Sequence, residues 1–352
     1  MATEQHEAHH PLTRWYIDTR PLTSTISILP LLETLQPDDQ ETVKRFYHLR
    51  DRHMSLASYL LKYLFIHRAC RIPWSKVKIS RTPAPHKRPC FIPDADTTAN
   101  TGKPIPAIEF NVSHQASLVA LAGTTIPTLA PALEATITPS PSTQSHPGGN
   151  TPEVGIDITC VNERRNTRSQ PPPTSISEFT SFVDIFSEVF SARELFTIKS
   201  LHGIPAHQNT TDAQRVAYGY RLFYTYWALK EAYIKMTGEA LLAPWLRSLE
   251  FTDVKVLDPA AATRGEGGCW NGPYTGVQTW LDGKKVEGVR IEVLAFQEDY
   301  LIATATRGAG VGAAGANGGD GGDEEGRWLA MQEIEVERDV RDCALGRCSC
   351  LA

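Results

Sequence analysis

A long helical pattern from about Ala217 to Met236 constrains this chain more than any other feature of the sequence. Residues four apart lie on one face of a helix, so Glu231 and Lys235 share a face with Trp227. A second, apolar row comprises Leu222, Tyr226, Leu229 and Tyr233. Gly238 follows directly, as is typical just past a helix end. The helix is therefore expected to be largely buried, where charged side chains need partners. On spacing alone, a Glu–Lys pair at a solvated edge is the simpler explanation of both charges.

The length and composition are typical of a globular protein with two domains. The chain has 352 residues, of which 41% are hydrophobic, and its net charge of −5 gives no reason to expect nucleic acid as a partner. Lys62 and His67 interrupt the best candidate for a membrane span, and the polar N-terminus lacks the apolar core of a signal peptide. We therefore expect a cytoplasmic protein that uses neither a membrane nor nucleic acid.

The cysteines of the sequence are odd in number and scattered. They are Cys70, Cys90, Cys160, Cys269, Cys343, Cys348 and Cys350. No CxxC pair occurs, so the spacing predicts neither a zinc site nor a disulfide framework. The C-terminal Cys348-Ser-Cys350 is expected to be a flexible end with free thiols.

The two halves of the chain show a similar order of elements: helices, then a strand, then a hairpin of apolar strands. The hairpins are predicted at Phe110–Ala122 and Val289–Thr306, and a further strand at Trp74–Ser80. This order predicts an α/β (α+β) fold of two similar subdomains related by a pseudo-twofold. The expected boundaries are an N-terminal subdomain at 1–123, a flexible Thr/Pro/Ser-rich insertion at 124–152, a C-terminal subdomain at 153–307, and a Gly-rich, disordered and dispensable tail at 308–352.

Two carboxylates are the candidate metal ligands. Asp157 lies inside an apolar strand, where an acid is costly unless it binds something, although capping of a turn is an equal alternative. Together with Glu231, and without a histidine cluster, it favours the hard-oxygen ligation that Mg2+ uses alongside substrate phosphates. Basic residues that suit a phosphate-rich ligand are Arg50, Arg81, Lys87, Arg88 and Lys103. The sequence contains no P-loop motif.

Three motifs occur together and in order: Phe110-Asn-Val-Ser-His-Gln115, Val154-Gly-Ile-Asp157 and Trp227-Ala-Leu-Lys-Glu-Ala232. They resemble the motifs of 4′-phosphopantetheinyl transferases of the surfactin-synthetase-activating (Sfp) type, in particular the broad-range enzymes of filamentous fungi. Phe190–Glu194 resembles the short segment that those enzymes carry between the second and third motifs. The resemblance extends from about residue 14 to 306.

The resemblance implies a site for coenzyme A in the cleft between the two subdomains. Mg2+ would bridge its pyrophosphate to Asp157 and Glu231, and Lys235 would hold phosphate oxygens. Ser113 and His114 would contact the region of the adenosine 3′-phosphate. On the residues alone, a histidine at such a strand end is more often a hydrogen-bonded core residue.

The resemblance also assigns basic residues to the nucleotide. Arg50 corresponds to a family arginine that reaches the phosphates, and Arg81, with the Lys87-Arg88 step, corresponds to the Arg-Thr and Gly-Lys-Pro elements. Gly-Lys-Pro itself occurs only around Lys103, so Arg88 and Lys103 are alternatives for that lysine, with Arg88 preferred.

One metal-binding position departs from the family pattern. Thr159 stands where bacterial members place a third acidic ligand. Gln115 or water is the expected replacement.

The implied reaction is attack of a carrier-protein serine on the β-phosphorus of coenzyme A, with release of 3′,5′-ADP. Glu231 is the candidate base, and Lys235 stabilises the leaving group, with Lys230 as a possible participant. The expected partners are carrier domains of fatty-acid, polyketide and non-ribosomal peptide synthases and of aminoadipate reductase, and a monomer is expected. The alternatives are a non-catalytic carrier-binding module and another Mg2+-dependent nucleotide transferase.

Overall fold

The computed structural model describes residues 11–25, 27–83, 87–93, 104–126, 151–162, 175–204, 210–239, 243–259, 270–308, 310–311 and 328–351. The N-terminal unit contains β1 (Thr13–Asp18), α1 (Arg20–Thr25), α2 (Pro37–Lys44), α3 (Leu49–Cys70), β2 (Ile79–Arg81), β3 (Pro89–Phe91), β4 (Ile108–Gln115) and β5 (Leu118–Thr125). The C-terminal unit contains β6 (Glu153–Cys160), α4 (Ile176–Asp184), α5 (Ala192–Lys199), α6 (Asp212–Thr237), β7 (Leu249–Thr252), β8 (Gln278–Leu281), β9 (Lys284–Lys285), β10 (Arg290–Phe296) and β11 (Tyr300–Arg307). The chain then forms β12 (Gln332–Glu333), a π-helical turn at Val336–Val340 and α7 (Arg341–Ala344).

The same strand order occurs in both units. The first strand of each unit pairs with the second strand of the following hairpin, which gives the orders β1-β5-β4 and β6-β11-β10. One long helix covers each sheet, α3 in the first unit and α6 in the second. A third buried cluster combines residues of β1 and β5 with residues of β6, β10 and β11, so the two sheets also pack against each other. This repeated arrangement confirms the predicted α/β fold of two similar units.

Helix α6 begins and ends where its sequence directs. The Thr211 hydroxyl accepts a hydrogen bond from the Gln214 N–H at 3.3 Å, and the Gln214 side chain accepts the Thr211 N–H in return. Gly238 ends the helix in the left-handed conformation, with a φ of 79°. The predicted helix is therefore present, and it begins five residues earlier than the apolar pattern indicates.

Side chains rather than backbone pairs join β4 to β6. Alternate residues of β4 point toward β6, and their oxygens accept backbone N–H groups from alternate residues of β6. The bonds are Ile156 N–H to Asn111 Oδ1 at 3.3 Å, Ile158 N–H to Ser113 Oγ at 3.2 Å and Cys160 N–H to Gln115 Oε1 at 2.8 Å. The motif Phe110–Gln115 is thereby fixed to the motif that contains Asp157, and the two units meet along this line.

Two expectations need correction. Trp74–Ser80 is not a strand, because Trp74–Lys76 forms a 3-10 turn and pairing begins only at Ile79. The tail is ordered over residues 328–351: β12 pairs in parallel with β1, and five residues that follow the glycine run are buried. These buried residues are Trp328, Ile334, Val336, Val340 and Cys343. Most of the Gly-rich stretch lies outside the described residues, as does most of the predicted insertion at 124–152.

The longest helices, α3 and α6, carry charged residues along their length. Among the residues that the structure describes, no helix is both long enough and apolar enough to cross a membrane.

Candidate active site

Gly155 sets the distance between β6 and α6. A Cβ atom at this position would lie 2.0 Å from the Ala232 carbonyl oxygen and 2.4 Å from the Met236 backbone nitrogen. Only a residue without a side chain allows the strand to approach the helix backbone so closely. The approach brings Asp157, two residues further along β6, to the turn of α6 that carries Glu231 and Lys235.

The Asp157 carboxylate is the centre of a hydrogen-bond network. Its Oδ1 accepts from Lys235 Nζ at 2.6 Å and from Ser113 Oγ at 3.0 Å, and its Oδ2 accepts from Thr159 Oγ1 at 3.0 Å. Lys235 Nζ also donates to Ser113 Oγ at 2.9 Å. The Asp157 side chain is 8% exposed and that of Lys235 is 27% exposed, so the network opens to solvent on the lysine side. One residue from each of the first two motifs thus meets Lys235, which lies three residues beyond the third motif on α6.

Glu231 adds a second carboxylate beside this network. Its side chain is half-buried, one helical turn before Lys235. Burial raises the pKa of Glu231, the negative charge of Asp157 raises it further, and Lys235 opposes both effects. Two carboxylates therefore compete for one lysine, which leaves a net negative charge. A divalent cation with a preference for hard oxygen ligands would relieve this repulsion, so these residues fit Mg2+.

His114 lies at the rim of the site, at the end of β4. Its side chain reaches solvent, yet the surrounding protein lowers the pKa of the imidazole, and the charges of Lys235 and Lys62 lower it further. Asp51 and Asp157 act in the opposite direction. His114 therefore lies near cations from both long helices, Lys62 of α3 and Lys235 of α6.

Lys62 is a buried cation that the sequence analysis did not assign to the site. Its Nζ lies 3.9 Å from the centroid of the Tyr59 ring. Burial lowers the pKa of Lys62 to about 8, Arg81 lowers it as well, and Asp39 raises it. The sequence signal was a lysine inside the apolar stripe of α3, where a charge is costly without a purpose.

Three other predicted phosphate-binding residues are exposed to solvent. Arg50 is exposed at the start of α3 and pairs loosely with Asp51, at 3.7 Å between Nε and Oδ1. Arg81 is exposed and donates from Nη1 to the Lys87 carbonyl at 3.1 Å. Lys87 is exposed at the turn before β3. Lys103, the alternative to Arg88, lies outside the described residues.

Family models and curated relatives match this chain over most of its length. The description "4′-phosphopantetheinyl transferase, N-terminal" matches residues 20–126, and "4′-phosphopantetheinyl transferase superfamily" matches residues 153–305. The chain is 60% identical to 4′-phosphopantetheinyl transferase A of Aspergillus fumigatus, over 99% of both chains. It is 52% identical to 4′-phosphopantetheinyl transferase NpgA of Emericella nidulans, over 97% of this chain and 96% of that one. The human L-aminoadipate-semialdehyde dehydrogenase-phosphopantetheinyl transferase is 26% identical, over 81% of this chain and 71% of the relative.

The chain belongs to the 4′-phosphopantetheinyl transferase superfamily. The family suggested by the three sequence motifs is thus confirmed, and with it the transferase activity. The two family models cover the two units that the structure shows, and the line where β4 meets β6 joins them.

Lys230 has no place in the site of this transferase, contrary to the sequence analysis. It is fully buried on the other side of α6, where its Nζ lies 2.9 Å from Glu194 Oε2 and donates to the carbonyls of Leu246 and Leu249. These three partners use all the N–H groups of an ammonium. Glu194 also accepts the N–H groups of Ser191 and Phe251, so Lys230 links α6 to α5 and β7. Adjacent residues of a helix point in different directions, which separates Lys230 from Glu231.

Arg88 serves the joint between the two units. Its Nη2 donates to Glu109 Oε1 and to the Val154 carbonyl, and its side chain packs on Gly238 at the end of α6. A buried Nε with no partner among the described residues remains. The structure therefore gives Arg88 contacts within the protein rather than an open position for phosphate.

Thr159, at the position of the third acidic ligand of bacterial members, and Gln115, its expected replacement along with water, both hold protein groups. Thr159 is buried and directs its hydroxyl proton to Asp157, which fixes the orientation of that carboxylate. The Gln115 amide oxygen accepts the Cys160 N–H. Both side chains therefore build the joint that positions Asp157.

Proposed function

We propose that this transferase moves the 4′-phosphopantetheine group of coenzyme A onto a serine of apo carrier-protein domains and releases 3′,5′-ADP. The observation that carries the proposal is the convergence of Asp157, Ser113 and Lys235, with Glu231 beside them, where the two units meet. This arrangement brings together two carboxylates that can bind a metal, one of which can also act as a base, and a lysine that can bind phosphate.

The reaction requires a proton acceptor and stabilisation of the leaving group. The serine oxygen forms a bond to the β-phosphorus, the bond from that phosphorus to the bridging oxygen breaks, and the bridging oxygen leaves with 3′,5′-ADP. Glu231 accepts the serine proton, and burial, which raises the pKa of its carboxyl, makes it a stronger base than an exposed glutamate. Lys235 neutralises charge on the departing phosphate.

Mg2+ held by Asp157 and Glu231 would neutralise negative charge on the pyrophosphate. Asp157 is held for this role from three sides, by Ser113, Thr159 and Lys235. The carboxylate does not need to reorganise when the substrate arrives, which favours a fixed ligand.

The cations around the opening would bind the nucleotide phosphates. His114 would contact the region of the 3′-phosphate, whereas Ser113, which the resemblance also assigned there, is buried with its hydroxyl engaged by Asp157, Lys235 and the Ile158 N–H. Arg50, Arg81 and Lys87 are exposed to solvent and available to phosphate oxygens. Arg88 would act through the joint between the units instead of through a direct contact.

The carrier partners are proposed from the relatives. The name of the human relative specifies L-aminoadipate-semialdehyde dehydrogenase, and we extend this to an aminoadipate-reducing carrier here. Fatty-acid, polyketide and peptide synthase carriers follow from the fungal resemblance. We further propose a cytoplasmic monomer, in which the two units together complete one site.

Mass spectrometry of apo carrier domains incubated with the chain, coenzyme A and Mg2+ tests the proposal. A mass gain of one phosphopantetheine is expected with the wild-type chain and with Glu287→Gln, which changes an exposed carboxylate in the loop before β10. Asp157→Asn, which keeps the shape of the side chain, should lose transfer by on the order of a hundredfold or more. Equal transfer by Asp157→Asn at every Mg2+ concentration would show that Asp157 is no ligand.

A further inference from the structure

Three cysteines of the C-terminal segment lie against one histidine of α3, far along the sequence. The residues are Cys343, Cys348, Cys350 and His67, and one ligand atom from each lies within 4.8 Å of all the others. His67 and Cys343 are buried, and Cys348 and Cys350 are half-buried. The cluster is separate from the candidate active site, because Ser113, Thr159 and Lys235 surround Asp157 there and none of the four residues of the cluster takes part.

Two distances within the cluster are close to those of a tetrahedral metal site. Cys343 Sγ lies 3.6 Å from Cys350 Sγ, and His67 Nε2 lies 3.2 Å from Cys348 Sγ. Zn2+ with bonds of about 2.3 Å to sulfur and about 2.0 Å to nitrogen places its tetrahedral ligands roughly 3.5–3.8 Å apart. A sulfur–sulfur distance of 3.6 Å is too long for a disulfide bond, and the structure has these cysteines as free thiols.

The orientation of the imidazole is also fixed as a zinc ligand requires. Nδ1 of His67 donates to the Ile72 carbonyl at 2.6 Å, which leaves Nε2 without a proton and directed toward Cys348. Histidines that bind zinc commonly donate their other nitrogen to a carbonyl in this way. A packed core histidine also needs a partner for its N–H, but it does not need three thiols around its second nitrogen.

We propose that Cys343, Cys348, Cys350 and His67 bind a structural Zn2+ ion that fastens the C-terminal segment to α3. Four protein ligands leave no open position, so the site is structural and takes no part in the transfer reaction. The segment is short and joins the body through β12 and a few buried apolar residues, so a metal link would add substantially to its attachment. The spacing of the three cysteines, C-x4-C-x-C, contains no CxxC pair, so the sequence alone did not predict a zinc site.

Metal analysis of the full-length chain, purified without chelator under reducing conditions, tests the site. About one zinc ion per chain is expected, and Cys348→Ser and Cys350→Ser should each retain less than about a fifth of it. Cys90→Ser is the matched control, because Cys90 is half-buried on β3 and away from the cluster. A zinc chelator should lower the unfolding temperature of the wild-type chain and of the control, but not that of Cys348→Ser.

Replacement of zinc by Co2+ gives a test that needs no variant. A tetrahedral site with three thiolates should show intense visible absorption and a thiolate-to-cobalt charge-transfer band. A wild-type chain that contains no zinc and takes up neither zinc nor cobalt under reducing conditions would overturn the proposal. So would a disulfide between Cys343 and Cys350 in the freshly purified protein, or zinc content that Cys348→Ser and Cys350→Ser leave unchanged.

Discussion

Replacement of Gly155 by alanine tests how the fold positions the chemistry. The added Cβ would lie 2.0 Å from the Ala232 carbonyl oxygen, whereas ordinary contact begins at 3.4 Å. Both atoms that it meets most closely belong to the backbone of α6, so no side-chain rotation can relieve the contact. The strand and the helix must separate by on the order of 1 Å.

This separation has two measurable consequences. Overpacking of this kind costs about 1–3 kcal/mol of unfolding free energy. It also moves Asp157 away from Lys235; in the wild-type chain, Asp157 Oδ1 and Lys235 Nζ lie 2.6 Å apart. A displacement of about 1 Å between catalytic groups can reduce the rate by about a hundredfold. Gly155→Ala should therefore lower both the stability and the rate of phosphopantetheine transfer.

Denaturant unfolding and a single-turnover transfer assay on the same protein measure both effects. Gly272→Ala is the control, because among the described residues, its two chain neighbours aside, no atom lies within 4 Å of the position that its Cβ would take. The control should match the wild-type chain in both assays. If Gly155→Ala unfolds and reacts like the wild-type chain, the close approach of β6 to α6 does not position the site, and the reasoning is wrong.

Three other perturbations address the remaining structure. Lys230→Met leaves the Glu194 carboxylate buried without its cation, so denaturant unfolding should show a loss of about 3–5 kcal/mol in stability. Normal stability together with a similar loss in the free energy of coenzyme A binding would instead place Lys230 in the site. Truncation after Arg307 removes buried apolar side chains worth roughly 1.5–3 kcal/mol each, so it should lower the temperature of thermal unfolding. A truncated chain with the stability and the transfer activity of the full chain would show that the tail is dispensable. The pKa of Glu231 is raised in the folded protein, so the folded state loses stability as the pH rises through that pKa and the carboxyl ionises. The unfolding temperature of Glu231→Gln should therefore rise relative to that of the wild-type chain from pH about 4 to pH 8. A difference in unfolding temperature that shrinks over that range would contradict the raised pKa.

The sequence predicts the long elements and the motif residues well. Apolar runs identify α6 and the two hairpins because α6 and three of the four hairpin strands, β5, β10 and β11, are buried along most of their length. The motif resemblance identifies Asp157, Ser113 and Lys235, which the structure brings together within hydrogen-bond distance. The glycine of the second motif has no period of its own, and only the structure shows that it sets the approach of β6 to α6.

Contacts between distant segments were beyond the sequence analysis. The residues adjacent to Lys230 do not predict that Glu194 binds it from another helix. Its position next to Glu231 in the motif therefore suggests, wrongly, a role in the site. The glycine-rich part of the tail predicts disorder, yet Trp328 and Ile334, which follow the glycines, are buried. The thiols of the tail meet His67 only because the chain returns to α3 after β12 pairs with β1.

The most direct test of the proposed site measures coenzyme A affinity and the single-turnover transfer rate on Glu231→Gln. The variant keeps the size of the side chain but loses its charge and basicity. We expect coenzyme A to bind within a few-fold of its wild-type affinity, because the cations of the opening remain, and transfer to fall by about a hundredfold or more. Added Mg2+ should recover only the part of the loss that comes from weaker coordination. Transfer by Glu231→Gln at the wild-type rate, with Glu287→Gln unchanged as control, would show that Glu231 is neither base nor ligand and would contradict the proposed mechanism.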